Sequence, residues 1–177
     1  MNKQDSRVIR LIRENNRAII TREVLATYCL WFAWAPEGVA GPDGETVNNT
    51  YRPIAIDIEG AVSLEITADP SNLWWHHPGN SSNAGGLNDE RGLENSAYRS
   101  ATYRSENILP LTARLNELVS MQGTQDIPTS EVIQERVGLG CVQNVGADMT
   151  RLFLGFHDGR QWTNNGGLVR VTVVVNF

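Results

Sequence analysis

The sequence predicts an all-β protein, built as an antiparallel β-sandwich. Apolar and mostly β-branched side chains alternate with polar ones in several separate segments, which is typical of half-buried strands. Stretches rich in Gly, Pro, Asn and Asp separate these segments. Beyond the N-terminal segment, no stretch repeats its apolar residues convincingly at helical spacing. Strands separated by turns, with little helix, typically pack as two sheets face to face.

The N-terminal segment is predicted to be a short helical arm over roughly residues 6–17. Asp5 and Ser6 can cap the start of such a helix. Three apolar residues recur at helical spacing and would form a narrow stripe, which consists of Val8, Leu11 and Ile12. A helix this short is marginal in isolation, so it needs a surface to pack on.

Charge is distributed unevenly along the chain. The net charge is −5, but residues 1–22 carry six Lys and Arg against two Asp and Glu, a local +4 that leaves −9 on the remainder. We therefore divide the chain into a basic arm, residues 1–21, and a sandwich domain, residues 22–177. The acidic body makes nucleic-acid binding unlikely. A basic arm suggests docking to something acidic, for which the candidates are a neighbouring copy, nucleic acid or a membrane surface, and a merely solvated arm is the alternative.

Five segments of the predicted domain carry strand patterns. Alternation is clearest near the C-terminus, where valines recur at every second position. Residues 35–49 form a turn-rich connection, and residues 69–107 have the composition of a long loop, a kind of segment that is often functional. The predicted strands, in chain order, are 22–32, 51–59, 62–67, 152–156 and 169–176.

Length and composition fit a single globular domain. The chain has 177 residues, of which 41% are apolar and 20% charged, enough for a sizeable core. No window approaches the ~18 apolar residues of a membrane span. No secretory signal is recognisable, so we expect cytoplasmic synthesis, followed by non-classical export or by incorporation into a virion or extracellular assembly. Cys29 and Cys141 are expected to be reduced thiols, one disulfide being the alternative.

The sequence contains no recognisable catalytic motif, and we expect that the protein is not an enzyme. His76 and His77 are adjacent, so on an extended chain they point to opposite faces and cannot easily share a metal ion. Nothing matches Gly-x-Ser-x-Gly, His-Glu-x-x-His or a Walker loop. Carboxylates are plentiful, but no spacing marks an acid/base pair.

The strongest functional signal lies in residues 151–177, where two strand patterns flank the loop HDGRQWTNNGG. Asp158 offers a carboxylate, and Asn164 and Asn165 offer amide oxygens. Backbone carbonyls at 161–163 add further oxygens. Calcium accepts six to eight oxygen ligands in flexible geometry, so this loop fits a calcium site. A plain turn is the alternative, because Asp, Gly and Asn are also common turn residues.

This segment resembles the LecA-type calcium-dependent galactose-binding lectins. That family has a strand, Asn-Asp, a short turn with an aromatic, a paired Asn-Asn or Asp-Asn followed by Gly, and an alternating last strand. The matching elements of this chain are LFLGF, His157-Asp158-Gly159, Trp162, Asn164-Asn165-Gly166 and LVRVTVVV. Weaker similarity extends over residues 22–26 and most of 51–177.

The resemblance implies a jelly-roll-like sandwich whose loop calcium binds two sugar hydroxyls. Carried over by position, the calcium ligands would be the side chains of Asp158, Asn164 and Asn165 and the backbone carbonyls of Gln161 and His77, with His76 as the alternative to His77. The spacing from the Asp to the Asn pair differs from that of the archetypal lectin. The family's sugar-contacting His and Gln are also replaced, and the sugar-binding candidates at that loop are Asn88, Glu90 and Arg91.

Aromatic side chains are the other candidates for sugar contact, because an indole plane suits the C–H face of a sugar ring. Trp162 lies between the candidate calcium ligands, and Trp75 precedes the histidine pair. For Trp74 and Trp75 together we expect one buried and one exposed side chain. Ordinary core packing is the alternative interpretation.

Two functions follow from these observations. The first is a calcium-dependent carbohydrate-binding module, with galactosides as the first candidate ligands. The second is a structural or assembly subunit of a phage or virion surface, or of a filament, that uses the lectin-like sandwich as a scaffold. The Asp158 loop favours the first function, whereas the basic arm and the altered sugar loop favour the second. We expect a homo-oligomer or larger assembly formed through the arm, and an arm without such a contact would favour the lectin.

Overall fold

The computed structural model describes most of residues 8–92 and most of residues 112–177. Nearly all of its regular structure is β-strand, and the strands pair mainly antiparallel, which confirms the prediction of an all-β protein. Within the described ranges, no helix has the length and apolar character that a membrane crossing requires. The described residues are 8–35, 38, 46, 50–75, 79, 81–87, 90–92, 112–125, 132–158 and 162–177.

Thirteen strands and two short 3₁₀ turns make up the described elements. The turns are Leu30–Phe32 and Trp162–Asn164. The strands are β1 (Val8–Ile9), β2 (Arg17–Leu25), β3 (Ala55–Asp57), β4 (Ser63–Ala68), β5 (Trp74–Trp75), β6 (Ser81–Ser82), β7 (Glu90–Gly92), β8 (Thr112–Arg114), β9 (Leu118–Gly123), β10 (Ile133–Arg136), β11 (Gly140–Asn144), β12 (Arg151–Phe156) and β13 (Gly166–Asn176).

The larger sheet is organised around β13. Strand β2 pairs with nine consecutive residues of β13, β4 pairs along its other edge, and β5 pairs with its first two residues. Strand β11 flanks β4, and β6 flanks β5. The predicted alternation of β13 is confirmed, since Val169, Val171, Val173 and Val175 are all buried. Of their neighbours on the opposite face, Arg170 is exposed, Thr172 is half-buried and Val174 is buried, so the alternation ends at Val173.

The second sheet has the order β1-β3-β12-β9-β10, and its central strands are buried on both faces. One face contributes Leu152, Leu154 and Phe156 to a core cluster that also contains residues of β2, β4 and β13. The opposite face contributes Phe153 to a separate cluster, which residues of the 30–34 segment cover. The sequence predicted a strand at 152–156 with one buried face. In the structure both faces are buried, because the 30–34 segment packs on the face that was expected to meet solvent.

The predicted helix over residues 6–17 is wrong for residues 8–17, and its first two residues lie outside the described ranges. Strand β1 pairs in parallel with β3. Glu14 and Arg17 then exchange two backbone hydrogen bonds, of 2.7 and 2.9 Å, around Asn15 and Asn16. Both asparagines have positive φ (50° and 61°), which is the backbone of a two-residue hairpin turn. Asparagine tolerates this conformation, and the narrow apolar stripe did not suffice to hold a helix instead.

The N-terminal residues described by the structure pack against the body. The Arg13 guanidinium carbon lies 3.7 Å from the centre of the Phe177 ring, a cation–π contact. Strand β2 begins at Arg17, so the first long strand starts earlier than the predicted position 22 and ends at Leu25 rather than at 32. Cys29 and Cys141 are not joined by a disulfide, as expected for reduced thiols.

Candidate functional site

The predicted calcium loop starts and ends at fixed points of the two sheets. After β12, the His157 backbone N–H donates to Glu117 O (2.8 Å), and His157 O accepts from Asn116 N–H (2.9 Å). These bonds extend the strand by one residue, so Asp158 is the first residue of the loop. At the other end, the Trp162–Asn164 turn leads to Asn165, which directly precedes β13.

Asp158 and Asn165 lie in contact, seven positions apart in sequence. The Asn165 Nδ2 group donates to Asp158 Oδ2 at 2.8 Å and to the backbone carbonyl of Ala26 at 3.0 Å. Ala26 is in place because its own N–H donates to Gly167 O (3.1 Å), one residue beyond the last register pair of β2 and β13. Asn165 therefore links three segments of the chain: the end of β2, the end of β12 and the start of β13.

The oxygen of the Asn165 amide, unlike its nitrogen, lacks a hydrogen-bond partner among the described residues. Both partners of Nδ2 are acceptors, which fixes the assignment of nitrogen and oxygen in this amide. Asn165 is 8% exposed, and its Oδ1 is buried with no hydrogen-bond partner in the described part of the chain. An unsatisfied buried carbonyl costs roughly 1–3 kcal/mol, so such a group calls for an explanation such as an ion or water. An acceptor oxygen beside a carboxylate has the donor chemistry of a calcium ligand.

An indole ring packs on the residue that follows Asn165. Trp75 of β5 pairs with Gly166 of β13, the residue after Asn165. A Cβ built on Gly166 would lie only 2.4 Å from the Trp75 ring, so the indole packs directly on the glycine backbone. Trp75 is 38% exposed, whereas Trp74 is completely buried, which confirms the expectation that one of the pair faces inward and the other outward.

Trp74 packs in the core below this site and contacts two other segments of the chain. Its ring lies 4.3 Å from that of Phe156, and its indole N–H donates to the Asn116 carbonyl at 3.1 Å. Asn116 is the residue whose backbone N–H holds His157. Asn116 is thus hydrogen-bonded both to β5, the strand that carries Trp75, and to the end of the strand that leads to Asp158.

The other predicted site residues are distributed as follows. Asn164 is exposed at the end of the 3₁₀ turn that begins at Trp162. Glu90 and Arg91 belong to β7, whose partner β8 leads into the turn that contains Asn116. Three candidates, together with the alternative His76, lie outside the described residues: His77, Asn88 and Gln161.

Two contributors to this geometry were not predicted from the sequence. The Ala26 carbonyl is a backbone group, and nothing in the residue type reveals its role. Gly166 was noted only as part of the motif, although a glycine inside a strand pattern is a general signal of close approach by another group. Its neighbour Gly167 has φ of 94° and lies against the backbone of Leu73 and Trp74, so both glycines are required where β5 meets β13.

Asp158 is the one charged side chain among the predicted calcium ligands. Among the described residues there is no group of three or more His, Cys, Asp and Glu that could hold a metal ion. A site here would therefore consist mainly of neutral oxygens. No protein-family model matches the chain, and no curated protein matches it either.

Proposed function

We propose that this chain is a calcium-dependent carbohydrate-binding module on a jelly-roll-like β-sandwich, similar to the LecA-type lectins. The observation that carries the proposal is the buried Asn165 Oδ1, which has no hydrogen-bond partner among the described residues and belongs to an amide bonded to Asp158. A calcium ion coordinated by the side-chain oxygens of Asp158 and Asn165 would give Asn165 Oδ1 a partner and would balance the charge of the Asp158 carboxylate. When bound, the ion would present open coordination positions to two hydroxyls of a sugar.

The protein's own part in this function is to hold the ligands in place before the ion arrives. The Ala26 carbonyl and Asp158 Oδ2 both accept from Asn165 Nδ2, so the amide oxygen has a single orientation. Because calcium affinity rises with the number of charged ligands, a site with one carboxylate is expected to be weak, with a Kd on the order of 10⁻⁴ to 10⁻³ M.

Trp75 supplies the apolar contact that a sugar ring requires. Its indole lies on Gly166, the residue after Asn165 in sequence, and is partly exposed. A pyranose held by its hydroxyls at the ion would have its C–H face available to this ring, an arrangement that suits galactosides. Trp162 is the second candidate for the same contact.

The calcium test compares two single-charge variants. In Asp158→Asn, the side chain keeps its size and loses its charge, whereas Asp148→Asn makes the same change in the exposed turn between β11 and β12. With the wild type and Asp148→Asn, melting temperature should rise by several degrees between EDTA and calcium at about a hundredfold excess over Kd, since binding then adds about 2.7 kcal/mol. Asp158→Asn should show no rise. An identical wild-type melt in EDTA and in ~10 mM calcium, well above the expected Kd, would refute the proposal.

The sugar test is a glycan array read with and without EDTA, with galactosides as the first class to examine. Gly166→Ala is the sharpest variant, because the added methyl displaces the Trp75 indole while Asp158 and Asn165 themselves are unchanged. It should retain the calcium response and lose sugar affinity. Sugar binding that ignores EDTA would place recognition elsewhere on the molecule.

The alternative function is that of an assembly subunit that keeps the lectin-like scaffold without its ligand. The observation in its favour is that the described residues contain no group of three or more His, Cys, Asp and Glu that could hold a metal ion. A chain that binds neither calcium nor any glycan, and that purifies as a large assembly, would support this alternative.

A further inference from the structure

The sheet edges of this protein differ in how well they are protected against pairing with another strand. Natural edge strands are commonly very short or carry charged residues, which prevents association. Strands β1 and β6 have two residues each. Strand β2 carries Arg17, Arg22 and Glu23, and β10 carries Glu135 and Arg136.

Strand β11 lacks both forms of protection. Its five residues, GCVQN, include no charged residue and no proline. Among the described residues it pairs with β4 alone. Val142 at its centre is 74% exposed. Valine also has a high propensity for strands. Of the edge strands that the structure describes, β11 is thus the one that is both longer than two residues and uncharged.

The hydrogen-bond phase of β11 shows which backbone groups face outward. Ala68 N–H donates to Leu139 O, and Val145 N–H donates to Val62 O, both at 3.0 Å. In an antiparallel ladder the residues bonded to one neighbour alternate, so 141 and 143 also face β4. Gly140, Val142 and Asn144 therefore direct their backbone N–H and C=O groups away from β4. The Gly140 N–H is already bonded to Val137 O, and the Asn144 C=O accepts from Gln122 Nε2 (3.0 Å). The Val142 N–H and C=O, the Gly140 C=O and the Asn144 N–H point to the open edge.

We propose that β11 is a self-association edge, at which a second copy of this chain adds its own β11 in antiparallel orientation. A two-fold axis through Val142 would place Val142 opposite Val142 of the second copy, and Gly140 opposite the second copy's Asn144. About four backbone hydrogen bonds would form. The occupant is a second copy because the strand contains no charge, so identical residues face each other without like-charge repulsion, and a two-fold interface requires such self-complementarity. The proposal does not rest on calcium or sugar binding.

The first experiment measures self-association of the full chain by sedimentation equilibrium over a wide concentration range. A single strand pair buries little area, so the expected result is a weak dimer whose population grows with concentration. Val142→Lys should raise the dimer dissociation constant by roughly 100-fold, because it places two ammonium groups opposite each other. Circular dichroism should remain unchanged, since the side chain is largely exposed.

Ile19→Lys is the matched control. Ile19 is 63% exposed and lies in the same cross-strand row as Val142, through Val174 and Glu65, but on β2 at the other side of the sheet. This variant should dimerise like the wild type. A wild-type chain that stays monomeric at its highest soluble concentration would overturn the proposal. So would a dimer that Ile19→Lys dissociates and Val142→Lys leaves intact.

A second experiment tests the register independently of affinity. Directly opposed residues in a hydrogen-bonded antiparallel pair have Cα atoms about 5.5 Å apart, within the range of a disulfide. In a Cys141→Ser background, Val142→Cys should therefore give a covalent dimer under mild oxidation, and Ile19→Cys should not. Equal cross-linking of the two variants, or none with Val142→Cys, would contradict the proposed two-fold pairing.

Discussion

The outward faces of the two sheets differ although both belong to long antiparallel strands. In the larger sheet, the outward side of β13 carries Arg170, which is exposed, Thr172, which is half-buried, and Val174, which is 9% exposed, so alternation with the buried valines holds over residues 169–173. In the five-stranded sheet, the corresponding side of β12 carries Phe153 and Gly155, which the 28–34 segment covers. The difference shows that a strand's inner face can be read from its own sequence, whereas its outer face depends on which distant segment crosses it.

The largest expected effect is on the covered face. Phe153 is 2% exposed and its ring lies 5.0 Å from that of Trp34, with an interplanar angle of 65°. Phe153→Ala should reduce the free energy of unfolding by about 3–5 kcal/mol, measured by urea denaturation, because it removes a large ring and leaves a cavity. A loss below about 1 kcal/mol would mean that the covering segment does not pack as a true core layer.

A second variant tests how closely the covering segment approaches. A Cβ on Gly155 would lie 2.9 Å from Leu30 Cγ and 3.0 Å from the Tyr28 carbonyl oxygen. Gly155→Ala should therefore destabilise the protein by about 1–3 kcal/mol through overpacking. The control is the double variant with Leu30→Ala, which vacates part of the space, so the two losses should be less than additive. Strictly additive losses would contradict this contact.

The open face of the larger sheet should respond far less. Thr172 and Thr21 lie opposite each other, and their hydroxyls are hydrogen-bonded at 2.9 Å. Thr172→Ala removes this one exposed bond and should cost at most about 1 kcal/mol in the same urea assay. A loss comparable to that of Phe153→Ala would remove the distinction between the two outward faces.

The smallest effects concern one carboxyl group near each sheet. Burial raises the pKa of Glu135 on β10, so its stabilising contribution is present below its unfolded pKa and is lost as pH rises through the folded value. Hydrogen bonds from the Ser71 hydroxyl and N–H lower the pKa of Asp69 after β4, with Arg170 adding to the effect. Its contribution is present above the unfolded pKa and is lost as pH falls through the folded value.

Carboxyl-carbon NMR titration distinguishes these two groups. In Ser71→Ala, the pKa of Asp69 should move up toward its ordinary value while that of Glu135 stays unchanged. In Glu135→Gln, stability relative to wild type should improve as pH rises through the acidic range, because the variant lacks the buried charge. An Asp69 pKa that does not respond to Ser71→Ala would show that the hydroxyl bond is not its main cause.

The candidate site divides in a similar way into predictable and unpredictable parts. Asp158 and Asn165 were identified because their residue types and spacing fit oxygen ligation, and the structure brings them into contact at 2.8 Å. The opposite exposures of Trp74 and Trp75 follow from the period of two along a strand. The role of Ala26 and the partner of Gly166 could not be predicted, because each arises from register between strands that are distant in sequence.

The sequence by itself determined the class of fold and the positions of several strands. Alternation at Leu64 and Ile66 and along β13 is a local property, since every second side chain of a strand points to the same face. The sequence was also sufficient to identify the loop between β12 and β13 as dense in oxygen ligands. These conclusions need no knowledge of what lies across the sheet.

Only the tertiary structure decided three other features. Asn15 and Asn16 close a hairpin rather than continue a helix, because β1 pairs with β3 and Arg13 packs on Phe177, more than a hundred positions away. The second face of β12 is buried because the 30–34 segment lies on it. The edge of β11 is open because no described strand pairs beyond it. Each depends on contacts between segments remote in sequence, which a local pattern of residues does not encode.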